Sequence, residues 1–441
     1  MYPDSVDILR RELTQVKEGG FNFIRAHLRP TSPAMLDLAD ELGLLVMGET
    51  SIGWIAASPE TEQRCWSEIE GVLRRDMNHA SVTSWCLMNE VFHLKGFVPV
   101  EARAMCARWL EQLRVLDSTR PVIDVSGGHG MFAVGGVDTM LPDTSKQKLT
   151  ACMQLTEADA TQPMTQIPIV DAHIYHSFPM EDRVWRDMRS TGSDAEFLFV
   201  SEYGAPPVPP QFAQVIAEYS QEERDLDLED IRLHQDFLDS LLHNFEQSPE
   251  LVDLYGAGDK GIACWIDRCN ELRADEMGLV TEALRSNPNM AGYCFCQLAD
   301  ASGELFGALD FWRRPKLMMA SLAKASAPTT LGVFAWPRVL APGAKLNIEL
   351  CRFNDDGVHN VTLVDWKLEL VDGKGRVVKC WSAEAGTKRS LRLLATNLKL
   401  PAKAEGGRWK LLATANGKDG RQLSGERELF VAIPPAKPRS R

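Results

Sequence analysis

The feature that most constrains this chain is a repeating alternation of short apolar runs with longer amphipathic stretches. The short runs are Phe21–Leu28, Leu44–Glu49, Val82–Glu90, Pro121–Ser126, Ile169–Tyr175, Glu196–Tyr203 and Met290–Leu298. Each has the length and the scarcity of interior charge that suit a strand buried on both faces. Between them, Glu60–Met77 sets Trp66, Ile69, Leu73 and Met77 at helical spacing, and Glu101–Leu116 does the same with Met105, Trp109, Leu113 and Leu116. Strand–helix units in series build a parallel sheet covered by helices. With seven such strands and no glycine-rich phosphate turn, a TIM (β/α)8 barrel is favoured over a doubly wound sheet. A full barrel needs eight strands. The helix Ser5–Lys17 leads straight into Phe21–Leu28, so the strand expected ahead of it is missing from the pattern.

Past Pro328 the period changes to two. Lys345–Cys351, Val361–Val371, Arg376–Trp381, Leu391–Leu398, Arg408–Ala415 and Glu426–Ile433 are β-rich and separated by NDDG, DGKG, AEGG and NGKDG turns. They predict an all-β, immunoglobulin-like sandwich. Charge divides in the same place: residues 328–441 hold 20 basic and 11 acidic residues, against 28 and 50 in the rest. The expected domains are a barrel over 1–327, a sandwich over 328–435 and a disordered basic tail over 436–441. The surplus of 61 acidic over 48 basic residues argues against a nucleic-acid partner. No apolar run is long enough to span a membrane. Ten scattered cysteines and an opening without an apolar leader predict reduced thiols in a cytoplasmic protein.

Two carboxylates stand at strand ends. Glu90 closes the run in SWCLMNE and Glu202 the run in FLFVSEYG. Charged groups at the carboxyl ends of barrel strands face the site, and a carboxylate pair from separate strands is what glycosidic cleavage requires. An ion pair with a neighbouring arginine is the plain alternative for each. His173 and Tyr175 alternate in phase on one strand, so both face the same side. His173 and His176 lack a third ligand at suitable spacing, so no metal site is expected. Trp54, Trp85, Trp265 and Trp312 are each candidates for a sugar platform or for core packing.

Several segments together resemble glycoside hydrolase family 2, which includes β-galactosidases, β-glucuronidases and β-mannosidases. They are GFNFIRAHLRPTSPAMLDLADELGLLVMGE (Gly20–Glu49), RRDMNHASVTSWCLMNE (Arg74–Glu90), LDSTRPV (Leu116–Val122), VDAHIY (Val170–Tyr175), SEYG (Ser201–Gly204) and GALDFWRRPK (Gly307–Lys316). The resemblance implies a retaining O-glycosyl hydrolase acting on β-linked sugars, with Glu90 as acid/base and Glu202 as nucleophile. It implies that Asn89 holds the sugar 2-hydroxyl and that Arg25 keeps the nucleophile ionised. His173, Tyr175, Glu49 and Trp312 follow as substrate-binding candidates, and His27 and His79 as partly structural positions. No cofactor is required, and the expected partner is a carbohydrate substrate. The chain departs from the family pattern in three places. The His-Pro turn reads LRPTSP. The last strand reads GYCFCQLAD where a tryptophan is usual. The Asn-x-Lys motif of glucuronide-specific members is absent from the barrel portion, which argues against a glucuronide.

The family's N-terminal domains and the first barrel strand have no counterpart in the sequence. An open barrel exposes two strand edges. The expectation is therefore a missing N-terminal segment, poor stability alone, or a strand borrowed in a homo-oligomer. The competing reading is a non-catalytic carbohydrate-binding or inactive relative that keeps the barrel.

Overall fold

The computed structural model describes residues 5–53, 55–90, 100–127, 131–134, 169–192, 197–355, 361–384 and 391–432. They fall into two compact units, Met1–Gly278 with Asn287–Ala323, and Leu279–Ser286 with Lys324–Arg441.

The first unit opens on α1 (Val6–Glu18). Ser5 caps it by accepting the Ile8 N–H, and Leu9, Leu13 and Val16 bury one stripe. It leads into β1 (Phe23–Arg25). Helix α2 (Pro33–Leu42) starts with Ser32 as cap and Pro33 in its first turn, and ends at left-handed Gly43. Then come β2 (Leu45–Glu49), α3 (Pro59–Asp76), β3 (Val82–Asn89), α4 (Val100–Leu116), β4 (Val122–Ser126), β5 (Met131–Val134), β6 (Ile169–His176), α5 (Asp182–Met188) and β7 (Phe197–Gly204). Helices α6 (Phe212–Ala217), α7 (Gln221–Asp225), α8 (Glu229–Glu246), α9 (Pro249–Tyr255) and α10 (Gly258–Arg285) precede β8 (Met290–Phe295) and α11 (Leu317–Ser326). The strands form two four-stranded parallel sheets, ordered β1-β2-β3-β4 and β5-β6-β7-β8. Core side chains on β2, β3 and β4 pack against α1 to α4, with Val46, Trp85, Leu87 and Trp109 essentially dry.

The strand missed in the sequence is β5, inside the long segment Gly127–Gln166. It pairs with β6 from Met131↔His173 to Val134↔His176. Four residues just past a glycine-rich stretch of sequence are too few to establish a period. The helical stretch expected over Glu222–Phe245 is two helices. The chain breaks between them at Asp227, whose φ is 50°, and the earlier one is fixed by a capping box of Ser220 and Glu223. Among the described residues, no helix is long and apolar enough to cross a membrane.

In the second unit, β9 (Thr329–Trp336), β10 (Val339–Leu340), β11 (Lys345–Asn354), β12 (Leu363–Val371), β13 (Val377–Glu384), β14 (Arg392–Lys399), β15 (Gly407–Gly417) and β16 (Gln422–Val431) make two sheets. Their orders are β10-β16-β15-β12-β13 and β14-β11-β9. All pairings are antiparallel except β10 with β16. Leu331, Val333, Ile348, Leu350, Leu368, Leu370, Leu411 and Ala413 alternate inward from both sheets into one core. The period of two foresaw six of these strands. β9 was hidden because it is buried almost end to end, so its pattern does not alternate. The tail 436–441 lies outside the described residues.

Candidate active site

The carboxyl ends of β1, β2, β3, β6 and β7 bring seven of the sequence-predicted residues together. Arg25, at the end of β1, is the hub. Its Nε and Nη2 donate to Glu49 at 2.6 and 3.0 Å, its Nη1 to Glu202 at 2.6 Å, and its Nη2 also to Asn89 Oδ1 at 2.6 Å. The side chains of Arg25, Glu49 and Glu202 are 3%, 0% and 8% exposed, so the charges meet almost without water. Arg25 pairs with Glu49 and with Glu202 at the same time. One planar guanidinium can fork to both because its donors have fixed directions.

Glu202 receives a second donor from Tyr175, whose hydroxyl lies 2.6 Å from Oε2. His27, half exposed, stands 3.4 Å from the other oxygen. Burial pushes the Glu202 carboxyl up, but His173, Arg25, the Tyr175 hydroxyl and His27 outweigh it and hold the group below its usual range. For Tyr175, burial first, then the Glu202 charge, raises the phenol well above its ordinary value.

Glu90 lies in a different setting. Its backbone has φ 47°, a left-handed conformation that a glutamate adopts only at a cost, and this turns the side chain off the end of β3. Its Oε1 lies 2.6 Å from His173 Nδ1, and the same nitrogen is 3.4 Å from Glu202 Oε2. One oxygen of each glutamate and the His173 nitrogen all lie within 4.8 Å of one another. These three could surround a metal ion only by giving up those hydrogen bonds, and Arg25 already supplies the positive charge beside Glu202. His176 turns away, its Nδ1 on the Ser177 carbonyl at 2.8 Å.

Asn89 is fully buried, and its Nδ2 has no hydrogen-bond partner among the described residues. An unsatisfied buried amide donor is costly and points to a ligand that completes it. A cavity of about 280 Å³ reaches Arg25, His27, Glu202, Cys296 and Gln297 from beneath α1. At the end of β7, a Cβ on Gly204 would stand 2.9 Å from the Cys296 carbonyl, so only glycine lets β7 approach the chain just past β8. Burial raises the Cys296 thiol to about 11 and the Cys294 thiol to about 12, so both are inert thiols.

Both Glu49 oxygens accept from Arg25, and one also accepts the Leu28 N–H. Other candidates lie elsewhere. Trp312 donates its indole N–H to the Val215 carbonyl and packs edge-on against Tyr219 and Phe311. That is packing inside an aromatic cluster, and no described contact joins it to the carboxylates. Trp85 is core, bonded to Asp117 at 2.8 Å, and Trp265 packs on Phe245. His79 pairs with Asp40, away from the site. Trp54 lies outside the described residues. The sequence reading missed Ser126, Ser201 and Asp171, which are buried and line up behind His173. Small polar residues at strand ends carry no pattern that distinguishes them from core hydroxyls.

The parallel α/β barrel thus gathers two carboxylates from separate strand ends, one held by an arginine and the other beside a histidine. Residues 5–176 match the TIM barrel domain of glycosyl hydrolases family 2, a stretch that includes Arg25, Asn89, Glu90 and His173 but not Glu202. A β-galactosidase of Enterobacter cloacae is 26% identical over 183 residues, 40% of this chain and 16% of that protein. One from Vibrio cholerae matches with the same identity and coverage. The β-D-mannosidase of Dictyoglomus thermophilum shares the fold, with a TM-score of 0.58 and 15% identity over 97% of this chain and 48% of that one. The first part of the chain is thus similar to the barrel domain of glycosyl hydrolases family 2, and the chain spans less than half the length of these relatives.

Proposed function

We propose that this protein is a β-glycosidase that cleaves with retention, Glu90 acting as acid/base and Glu202 as nucleophile. The observation that carries this reading is the pairing of two carboxylates within 4.8 Å in opposite settings. Retention needs carboxyl groups about 5–5.5 Å apart, whereas inversion leaves room for a water at about 6.5–9.5 Å. Glu202, clamped by Arg25 and Tyr175, is kept ionised and aimed, as an attacking carboxylate must be. Among the described residues the Glu90 carboxyl group has only His173 as a hydrogen-bond partner, which suits a group that gives and takes a proton.

In the first step Glu202 attacks the anomeric carbon while Glu90 protonates the departing oxygen. In the second step Glu90 removes a proton from water, which releases the sugar from the Glu202 ester. Asn89 Nδ2 supplies the donor for a sugar hydroxyl, the 2-hydroxyl by family resemblance. The names of the relatives support a β-linked hexoside as substrate. The C-terminal unit, with two sheets on one core, supports an immunoglobulin-like sandwich that begins close to Pro328.

The test is a panel of aryl β-galactosides, β-mannosides, β-glucosides and β-glucuronides, with the configuration of the first-formed sugar followed by proton NMR. A β-anomer as first product and a 2-fluoro sugar trapped on Glu202 are expected. Inversion, trapping elsewhere, or equal negligible turnover by the wild type and Glu202→Gln would overturn the reading, the last in favour of a sugar-binding protein.

A further inference from the structure

Behind the acid/base glutamate lies a buried chain of hydrogen bonds whose direction can be worked out atom by atom. Asp171, Ser201, Ser126 and His173 are each at most 1% exposed. Ser201 Oγ donates to Asp171 Oδ1, which also accepts the Gly127 N–H at 3.3 Å. Ser126 Oγ lies 2.8 Å from Ser201 Oγ and 3.0 Å from His173 Nε2. The far nitrogen, Nδ1, lies 2.6 Å from Glu90 Oε1.

A serine hydroxyl has one proton. The proton of Ser201 goes to Asp171, because Oδ1 with two donors is an acceptor. The short contact between the two serines must therefore carry the proton of Ser126. Ser126 then has none left for His173, so Nε2 must be the donor, as Nε2–H to Ser126 Oγ. That leaves Nδ1 facing Glu90 with its lone pair, and a 2.6 Å contact between two acceptors is stable only with a proton between them.

We propose that His173 is a positioning residue whose tautomer, locked by Asp171, Ser201 and Ser126, keeps one proton on the Glu90–His173 pair. This rests on the glycosidase reading of Glu90. In the first step that proton passes to the departing oxygen. Glu90, now a carboxylate against the Nδ1 lone pair, is left as an eager base, and the proton of the attacking water restores the pair. Protons balance over the cycle, and no further reactant enters. Gly127 belongs to the device: a Cβ there would stand 2.7 Å from His173 Nδ1, so this position leaves the ring its place. The other titratable groups around His173 are Glu202 at 3.4 Å, with Arg25, His27 and Tyr175 acting on Glu202. The Asp171 charge in turn acts on the Cys86 and Cys294 thiols, which burial first of all holds neutral.

The decisive measurement is the long-range proton–nitrogen NMR spectrum of His173 in the free, full-length protein. A protonated Nε2 is expected in the wild type. Ser126→Ala frees the ring to place its proton on Nδ1, pointing at Glu90. The variant should then lose turnover by on the order of 10²-fold on alkyl β-glycosides, which need the acid, and far less on dinitrophenyl glycosides. The alkaline limb of its pH–rate profile should move to lower pH, and Ser126→Thr, which keeps the hydroxyl, should restore both. A wild-type ring protonated on Nδ1 with a bare Nε2 would overturn the proposal, as would an unchanged tautomer and pH profile in folded Ser126→Ala. Nε2 protonation in a wild type that turns over no glycoside would uphold the relay and sink the glycosidase reading, so the two failures are separable.

Discussion

Arg25→Met is the substitution that most directly tests the site's electrostatics. It removes the one cation that forks between Glu49 and Glu202 while roughly keeping the side-chain volume. Four hydrogen bonds to Glu49, Glu202 and Asn89 are lost, three of them to carboxylates that are 0% and 8% exposed. Breaking a buried ion pair from one side costs about 3–5 kcal/mol, because the abandoned charge stays buried. The cost must depend on pH. With Arg25 present, the Glu202 carboxyl is held low, so its contribution is in place above the ordinary carboxylate range and fades as pH falls through its folded-state value. Without Arg25, the burial that already pushes the Glu202 carboxyl up loses a main opponent. The folded state then binds protons that the unfolded state has released, and stability falls as pH rises, by up to about 1.4 kcal/mol per pH unit for each proton involved. Urea unfolding followed by tryptophan fluorescence should give a loss of about 3–5 kcal/mol at pH 8 and a clearly smaller one at pH 5.5. Adding Glu49→Gln to Arg25→Met should recover part of the loss at pH 8, because the neutral amide oxygen still accepts the Leu28 N–H without a stranded charge. A loss under about 1 kcal/mol at pH 8, no dependence on pH, or a double variant worse than the single would refute the reasoning.

Tyr175→Phe removes a hydroxyl 2.6 Å from Glu202 Oε2. A bond to a charged acceptor is worth about 1.5–3 kcal/mol, so kcat/KM should fall by about 10- to 150-fold and the acid limb of its pH profile should move up. Gly127→Ala puts a methyl 2.7 Å from His173 Nδ1 on a backbone with φ 72°. It should destabilise by about 1–2 kcal/mol, seen as a lower urea midpoint, and should lose activity beyond that. Asp117, held low against burial by Thr119, Trp85 and Arg120, contributes stability above the ordinary carboxylate range that is lost in acid. Asp117→Asn should therefore cost about 2–4 kcal/mol at pH 7 and much less near pH 2, and equal losses at both would count against it.

The strand and helix order of the first unit was legible because burial writes a period into each segment. Strands covered on both faces read as apolar runs, and covering helices repeat every three to four residues. The same logic put Glu90 and Glu202 at strand ends, and the in-phase pair His173 and Tyr175 on one side of β6. Where burial leaves no period, reading failed: β5 is too short, β9 too evenly buried, and the break at Asp227 is a single left-handed residue inside a helical pattern. Trp312 shows another limit, since an aromatic in a loop reads the same whether it meets sugar or meets Tyr219 and Phe311.

By itself, then, the sequence determined the kind of fold, the two carboxylates and the arginine, because residue type and local spacing carry those. Only the tertiary structure decided how they are wired. Arg25 spans to Glu202 across 177 positions, Glu90 meets His173 across 83, and Ser126 reaches His173 and Ser201 from a third strand. Partners this far apart in the chain are set by strand register and by which strand ends meet. No local pattern encodes these, because every strand satisfies its own period whichever neighbours it is given.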